Sequence, residues 1–341
     1  MTMAETMKAI CIHRYGGPDV LVYQDLPRPV PEEGELLIRV HAAGVNPVDW
    51  KTRAGSPPGQ SFGERFPLIL GWEVSGTVAA VGPAVMPTPT PTADSRADSA
   101  DRRWSMADNR VAVGDAVYGM VRFPEPGGTY AEYVTAPTAH VRHKPDAVDF
   151  LQAAALPLVS LTAWQALFEA GELKEGQMVL IHGAAGGVGH VAVQMASWRG
   201  ARVIGTARGR DRGFLRALGI DRHVDFETAR FEDVVRDADV VLDTVGGQVR
   251  ERSWSVLREG GTLVTLRSGG DIDEKAAEYG VRAKRILVRS EPTHFAGVDG
   301  LVESGRLRPT IAAVFPLQQA REAQERLQRH PTRGKIVLRV R

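Results

Sequence analysis

The first 120 residues carry short β-branched and apolar runs broken by glycine and proline, at 8–14, 21–26, 35–42, 69–81 and 115–120. Many short strands with Gly/Pro turns predict a sandwich or a partly open barrel. From about residue 156 the texture changes. An apolar strand at 178–182 runs into a glycine-rich turn and a helix over 187–198, which Gly200 stops. Strands at 202–206, 222–226, 240–243, 262–266 and 285–289 then alternate with helices at 212–218 and 248–258. That alternation predicts a parallel, doubly wound sheet. The tail returns to mixed structure, with helices at 298–304 and 318–329 and a last strand at 335–340 expected to rejoin the first domain. The expected fold class is therefore α/β, a doubly wound parallel sheet inserted into a β-rich domain. The boundaries expected are 1–155, 156–291 and 292–341.

Two stretches stand apart. Residues 86–109 are rich in Pro, Thr, Ala, Asp, Ser and Arg and hold almost nothing to bury. Such composition does not offset the entropy of ordering, so a mobile surface insertion is expected there, with a lid or docking loop as the alternative. The longest apolar stretch, 151–168, contains Gln152, Pro157, Ser160, Thr162 and Gln165. It reads as a core helix at the domain crossing rather than a membrane span.

Composition narrows the function classes. The chain has 341 residues and balances 42 Lys and Arg against 41 Asp and Glu, a formal net charge of +1. That balance gives no electrostatic case for nucleic acid or an anionic membrane as partner. A single cysteine, Cys11, permits neither an internal disulfide nor a multi-cysteine zinc site. With Glu5 and Lys8 in a start that lacks an apolar core, no signal peptide is expected, and the reading is a cytoplasmic protein.

The sharpest motif is Gly183-Ala-Ala185-Gly186-Gly187-Val188-Gly189, placed between a predicted strand and a predicted helix. Glycines there let backbone N–H groups approach a diphosphate, and the helix N-terminus adds partial positive charge. Ala184 takes the first glycine position of the common Gly-x-Gly-x-x-Gly pattern. The second strand leads through Thr206 to Arg208 and Arg210, with no acid before Asp211. An NAD site places an acid there to hold the ribose 2′-hydroxyl, whereas guanidinium suits a 2′-phosphate. NADPH is the expected cofactor, and arginines that merely face solvent are the alternative. Asp243, Thr244 and Val245 close a third strand, where ligands of such sheets lie. Thr244 and Val245 are expected near the nicotinamide ribose, while Asp243 is as readily structural.

These residues resemble the medium-chain dehydrogenase/reductase superfamily, in its zinc-free quinone oxidoreductase branch. The stretches that carry the resemblance are Gly44-Val-Asn-Pro-Val-Asp-Trp-Lys51, Leu70-Gly-Trp-Glu-Val-Ser-Gly76, Gly127-Gly-Thr-Tyr-Ala-Glu-Tyr133, Ala155-Leu-Pro-Leu-Val-Ser-Leu-Thr-Ala163, the glycine loop, and Arg333-Gly-Lys-Ile-Val-Leu338. Zinc-dependent members carry a cysteine near the first stretch and Gly-His-Glu in the second. Here Asn46 and Trp72 stand at those positions, and the four-cysteine structural lobe is absent. No metal site is therefore expected, and no alcohol oxidation at zinc. The resemblance implies a GroES-like catalytic domain beside a Rossmann domain, a homodimer, and NADPH-dependent reduction of a quinone or an α,β-unsaturated carbonyl.

Within that frame, Asn46 is the first candidate for a polar group in the cleft. Lys51 is a candidate donor to substrate, with a salt bridge to Asp49 the equal alternative. Tyr130 could donate its phenol proton, or be a packed barrel residue. Thr162 and Lys335 are candidates for contact with the nicotinamide. Trp72 is expected to form an apolar wall where metal ligands are lost. Two other readings stay open: an enoyl-thioester reductase, which would need a basic rim, and an NADPH-binding sensor without turnover.

Overall fold

The computed structural model describes residues 5–56, 59–63, 65–83, 111–330 and 332–341. The expectation of a mobile insertion over 86–109 falls outside them. The strands of the first part are β1 (Thr6–Ile12), β2 (Val22–Pro27), β3 (Glu35–Val45), β4 (Leu68–Ile69), β5 (Glu73–Val81), β6 (Ala116–Met120), β7 (Tyr133–Pro137) and β8 (Val141–His143). The second part holds β9 (Met178–His182), β10 (Arg202–Ala207), β11 (Arg222–Asp225), β12 (Ala238–Asp243), β13 (Leu257–Thr265) and β14 (Arg282–Arg285). The tail adds β15 (Ile311–Pro316) and β16 (Lys335–Arg339).

Strands β9 to β14 form one six-stranded parallel sheet in the order β11-β10-β9-β12-β13-β14. That is the Rossmann order, and the chain reverses direction across the sheet between β9 and β12. The central strands are apolar on both faces because helices cover both, so Val179, Leu180 and Ile181 are all fully buried. The helix Gly187–Trp198 lies where the sequence places it. At its start Gly189 is obligatory, since a Cβ there would overlap the Gly183 carbonyl oxygen and the Ala184 backbone.

Strands β15, β16, β3, β5, β6 and β8 form the larger part of a seven-stranded sheet, with β7 added on β3. The last strand β16 does return to the first part, pairing antiparallel with β3 from Ile336 opposite Val45 to Arg339 opposite Ala42. Strands β2, β1 and β4 make a small third sheet.

Several elements differ from the sequence expectation. The predicted helix 248–258 ends at Ser253, because a 3-10 turn over Trp254–Val256 drops Trp254 and Val256 into the core before β13 begins. The predicted strand 285–289 lies earlier, at Arg282–Arg285, and the apolar residues after it leave the sheet to line a cavity. The helix Ile272–Tyr279 was hidden by its polar composition. Asp271 caps it by accepting from the Asp273 and Glu274 amides, and Gly280 closes it at φ 64°. The apolar stretch 151–168 is two helices, Phe150–Ala154 and Pro157–Trp164, running on into a π-helical turn over Gln165–Ala170.

The helix Pro292–Glu303 bridges the two parts. Its Asp299 accepts a hydrogen bond from the Tyr118 hydroxyl of β6 and an ion-pair bond of 2.8 Å from Arg142 Nε of β8. All three groups are buried, and burial pushes the Asp299 carboxyl up to about 6. Removing the carboxylate would strand the Arg142 guanidinium. Asp299→Ala is expected to destabilise the fold by about 3–5 kcal/mol in a denaturant titration. A change below about 1 kcal/mol would show that the bridge is inessential.

Candidate active site

A cavity of about 560 Å³ opens at the carboxyl end of β9, between the Rossmann sheet and the seven-stranded sheet. A volume of that order suits a small-molecule or cofactor site. Its glycine wall is Gly183, Gly186, Gly187 and Gly189, with Val188 between. Gly183 needs its left-handed φ of 64° to turn the chain from strand to helix. Gly186 is the N-cap, so the first amides of the helix Gly187–Trp198 have no intrahelical acceptor and are available to an anion. Ala185 sits one step back, and its carbonyl accepts from the Gly334 amide at 2.9 Å. That bond ties the tail to the glycine loop. The donor set and the missing Cβ atoms fit a dinucleotide diphosphate.

Across the cavity lies a buried polar cluster. Asn46 is the N-cap of the helix Pro47–Arg53 and is 1 % exposed. Its Nδ2 donates to Glu73 Oε2 at 2.6 Å, and its Oδ1 accepts from Lys335 Nζ. Lys335 also pairs with Glu73 Oε2 at 2.5 Å. The other Glu73 oxygen accepts from the Leu158 amide at 2.7 Å. Glycine at position 44 is required beside it, because a Cβ there would overlap Glu73 Oε2 and crowd the Ala154 carbonyl. All of the Asn46 amide's strong contacts are thus internal. Glu73 was present in the quoted motif but unassigned. A buried acid with no metal partner needs a buried cation, and that requirement was the signal for its pairing with Lys335.

Lys51 and Thr162 line the cavity. Lys51 makes no ion pair with Asp49, and burial together with the nearby Arg267 lowers its pKa. Thr162 spends its hydroxyl proton on the Leu158 carbonyl at 2.6 Å, leaving only its lone pairs for a ligand. Tyr130 does not line the cavity. It is fully buried and donates to Asp49 Oδ2 at 2.7 Å, the packed barrel residue of the alternative reading. Trp72 is likewise 1 % exposed. It donates to the Glu125 carbonyl and meets Phe123 edge-on, so Phe123 rather than Trp72 forms the cavity wall.

The remaining expected cofactor residues fall into two groups. Asp243 is structural, accepting from the Val245 and Gly246 amides and from the Thr265 hydroxyl. Thr206 shares a hydrogen bond with buried His182, whose pKa is lowered by burial to about 4. Val245 is 44 % exposed outside the cavity, whereas its neighbour Thr244 lines it. Beyond β10, Arg208 pairs with Glu227 at 3.1 Å. Arg210 lies in a second depression with Arg326 and Arg333, and Arg333 donates to the Arg210 carbonyl at 2.6 Å and pairs with Asp211. Arg333 stood in the tail motif, but only the fold brings it to the end of β10.

Comparison with known proteins agrees with this geometry. Residues 32–146 match the alcohol dehydrogenase GroES-like domain and residues 218–338 match the zinc-binding dehydrogenase domain. The quinone oxidoreductase of Sus scrofa is 31 % identical over 95 % of this chain and 94 % of its own length. The solved quinone oxidoreductase of Coxiella burnetii is 36 % identical with a TM-score of 0.87, covering 99 % of this chain and 100 % of that one. This chain belongs to the medium-chain dehydrogenase/reductase superfamily, in its quinone oxidoreductase branch. A mycobacterial member solved with NADPH is 29 % identical with a TM-score of 0.81, covering 98 % of this chain and 99 % of that one. Among the described residues no three His, Cys, Asp or Glu are grouped to hold an ion, and Glu73 is already paired with Lys335. Among the described residues no helix is long and apolar enough to cross a membrane.

Asp49 supplies a pH test of the cluster. Burial raises its carboxyl from the ordinary 3.8 to about 7, against the opposing hydrogen bond from Tyr130. Because the folded-state value stands above the unfolded one, the folded protein holds this proton more tightly. Stability from this group is therefore full below about 4 and is lost as pH rises towards about 7. Asp49→Asn is expected to flatten the fall in thermal stability over that window, read by calorimetry at stepped pH. An unchanged slope would remove Asp49 as its source.

Proposed function

We propose that this chain reduces a quinone or an α,β-unsaturated carbonyl with NADPH and without a metal ion. The observation that carries this reading is the Lys335–Glu73–Asn46 cluster, in which the cleft's buried carboxylate already has an ammonium as its cation. A buried carboxylate already neutralised and hydrogen-bonded has little to offer a metal. When bound, NADPH would supply the hydride.

The chain's own residues do the rest. The glycine loop and the first amides of the helix Gly187–Trp198 would hold the diphosphate. Arg210 and Arg333 would receive the 2′-phosphate, while Arg208 already has Glu227 as partner. Lys335 and Thr162 border the space for the nicotinamide. Phe123, Leu158, Leu266 and the run Ile286, Leu287 and Val288 exclude water around the acceptor. As an acceptor oxygen gains negative charge, the Lys51 ammonium can donate a hydrogen bond, and solvent supplies the proton. Asn46 acts by orienting Lys335 and Glu73 rather than by touching substrate. A cytoplasmic homodimer completes the reading.

The direct test follows NADPH absorbance with a quinone and an enone in the presence of a chelator. Oxidation that persists after chelation is expected. Activity that disappears and returns with zinc defeats the proposal. For the cofactor, Arg210→Ala combined with Arg333→Ala is expected to cost about 1.5–3 kcal/mol of NADPH binding, on the order of 10- to 150-fold in Kd, with NADH unaffected. Equal weakening of both cofactors would remove these arginines from the 2′-phosphate.

A further inference from the structure

The charge balance of the cavity is uneven. Its lining includes three cations, Lys51, Arg267 and Lys335, and no aspartate or glutamate. Lys335 is neutralised by Glu73 beneath the surface. Among the described residues neither Lys51 nor Arg267 has an ion pair. They face the same space from opposite sides, Lys51 from the helix Pro47–Arg53 and Arg267 from the loop after β13. Arg267 also lowers the Lys51 pKa, so each feels the other's charge.

The backbone at Arg267 is held in place. Its amide donates to Thr265 Oγ1 at 3.1 Å, and its carbonyl accepts from Arg285 Nε at 3.3 Å. Arg285 continues to the Gly269 and Gly270 carbonyls, fixing the loop. Gly246, at φ 80°, leaves room for the Arg267 stem, because a Cβ there would lie 3.0 Å from the arginine Cβ. A half-buried guanidinium carried on a fixed loop and facing a second cation is unfavourable until an anion comes between them.

We propose that the acceptor of this chain carries a carboxylate close to its reducible double bond, and that Lys51 and Arg267 bind that carboxylate from the two sides of the cleft. This rests on the NADPH-dependent reading above and narrows its substrate class. A guanidinium offers paired donors to a carboxylate, and an ammonium adds a point charge. A carrier-bound thioester fits less well, since its phosphates lie at the far end of a long arm while both cations line the chamber itself. The cofactor's diphosphate is the other anion within reach, and the experiment separates the two.

The probes are 3-benzoylpropionate, which lacks the conjugated carbon–carbon double bond, and its neutral amide, titrated calorimetrically into the protein saturated with NADP⁺. The reducible pair is 3-benzoylacrylate and its methyl ester. The acid is expected to bind at least ~10-fold more tightly than the amide. The acrylate should show a correspondingly lower KM than its ester. Arg267→Gln should erase most of that preference while the NADPH Kd stays within about 2-fold. Arg267→Lys, which restores charge without the paired donors, should recover part of it. Equal binding of acid and amide overturns the proposal, as does an Arg267→Gln variant that loses NADPH affinity and keeps the acid preference. If neutral quinones are reduced but acid and amide bind alike, this inference fails and the reductase reading survives. If the acid preference is present but no acceptor oxidises NADPH, the reductase reading fails and the anion site stands.

Discussion

The cleft is organised around one buried ion pair, Lys335 with Glu73. Two charges removed from water attract strongly, but each loses its hydration, so such a pair persists only where further hydrogen bonds complete it. Here they are complete. Glu73 receives the Asn46 amide, the Leu158 backbone N–H and the lysine, while Lys335 also reaches the Val45 carbonyl at 3.3 Å. Those contacts join the end of β3, the start of β5, the first turn of the helix Pro47–Arg53, the first turn of the helix Pro157–Trp164 and the start of β16. Four stretches far apart in sequence, at residues 45–46, 73, 158 and 335, thereby converge on one buried ion pair.

The same convergence sets the relation between the glycine loop and the catalytic part. Gly187 has no side chain, and a Cβ there would stand 3.5 Å from Lys335 Cδ and 3.6 Å from Val159. The Ala185 carbonyl holds the Gly334 amide. A ligand diphosphate at the helix N-terminus would thus lie against a wall built from the last strand, and its position would be referred to the ion pair through two residues. The Asp299 bridge makes a separate tie, anchoring Tyr118 and Arg142 of the seven-stranded sheet to the helix Pro292–Glu303.

Much of this was legible in the residue pattern. The alternation of apolar strands with helices identifies the parallel sheet, because burial on both faces leaves no polar alternation to confuse the reading. The glycine loop was legible because its backbone geometry admits few other residues. What escaped was set by tertiary neighbours. Ile286, Leu287 and Val288 look like a strand, yet they line a cavity. Ile272–Tyr279 looks too polar for a helix, but its cap and its terminal glycine suffice to define it. Tyr130 and Trp72 carried chemistry that their burial withdraws from the cleft, and local sequence does not report which way a barrel residue points. Arg267 sits in an unremarkable Leu-Arg-Ser-Gly turn, and only the cleft shows what it faces.

The short link between Ala185 and Gly334 also bears on how the protein comes into being. The glycine loop lies near the middle of the chain, and the strand that completes its wall leaves the ribosome some 150 residues later. Until then Glu73 has no ammonium beside it, and the Rossmann sheet can close without a working floor. A nascent chain stalled before residue 335 would leave the Glu73 carboxylate without the ammonium that neutralises it in the finished protein, and the glycine loop without the strand that backs it.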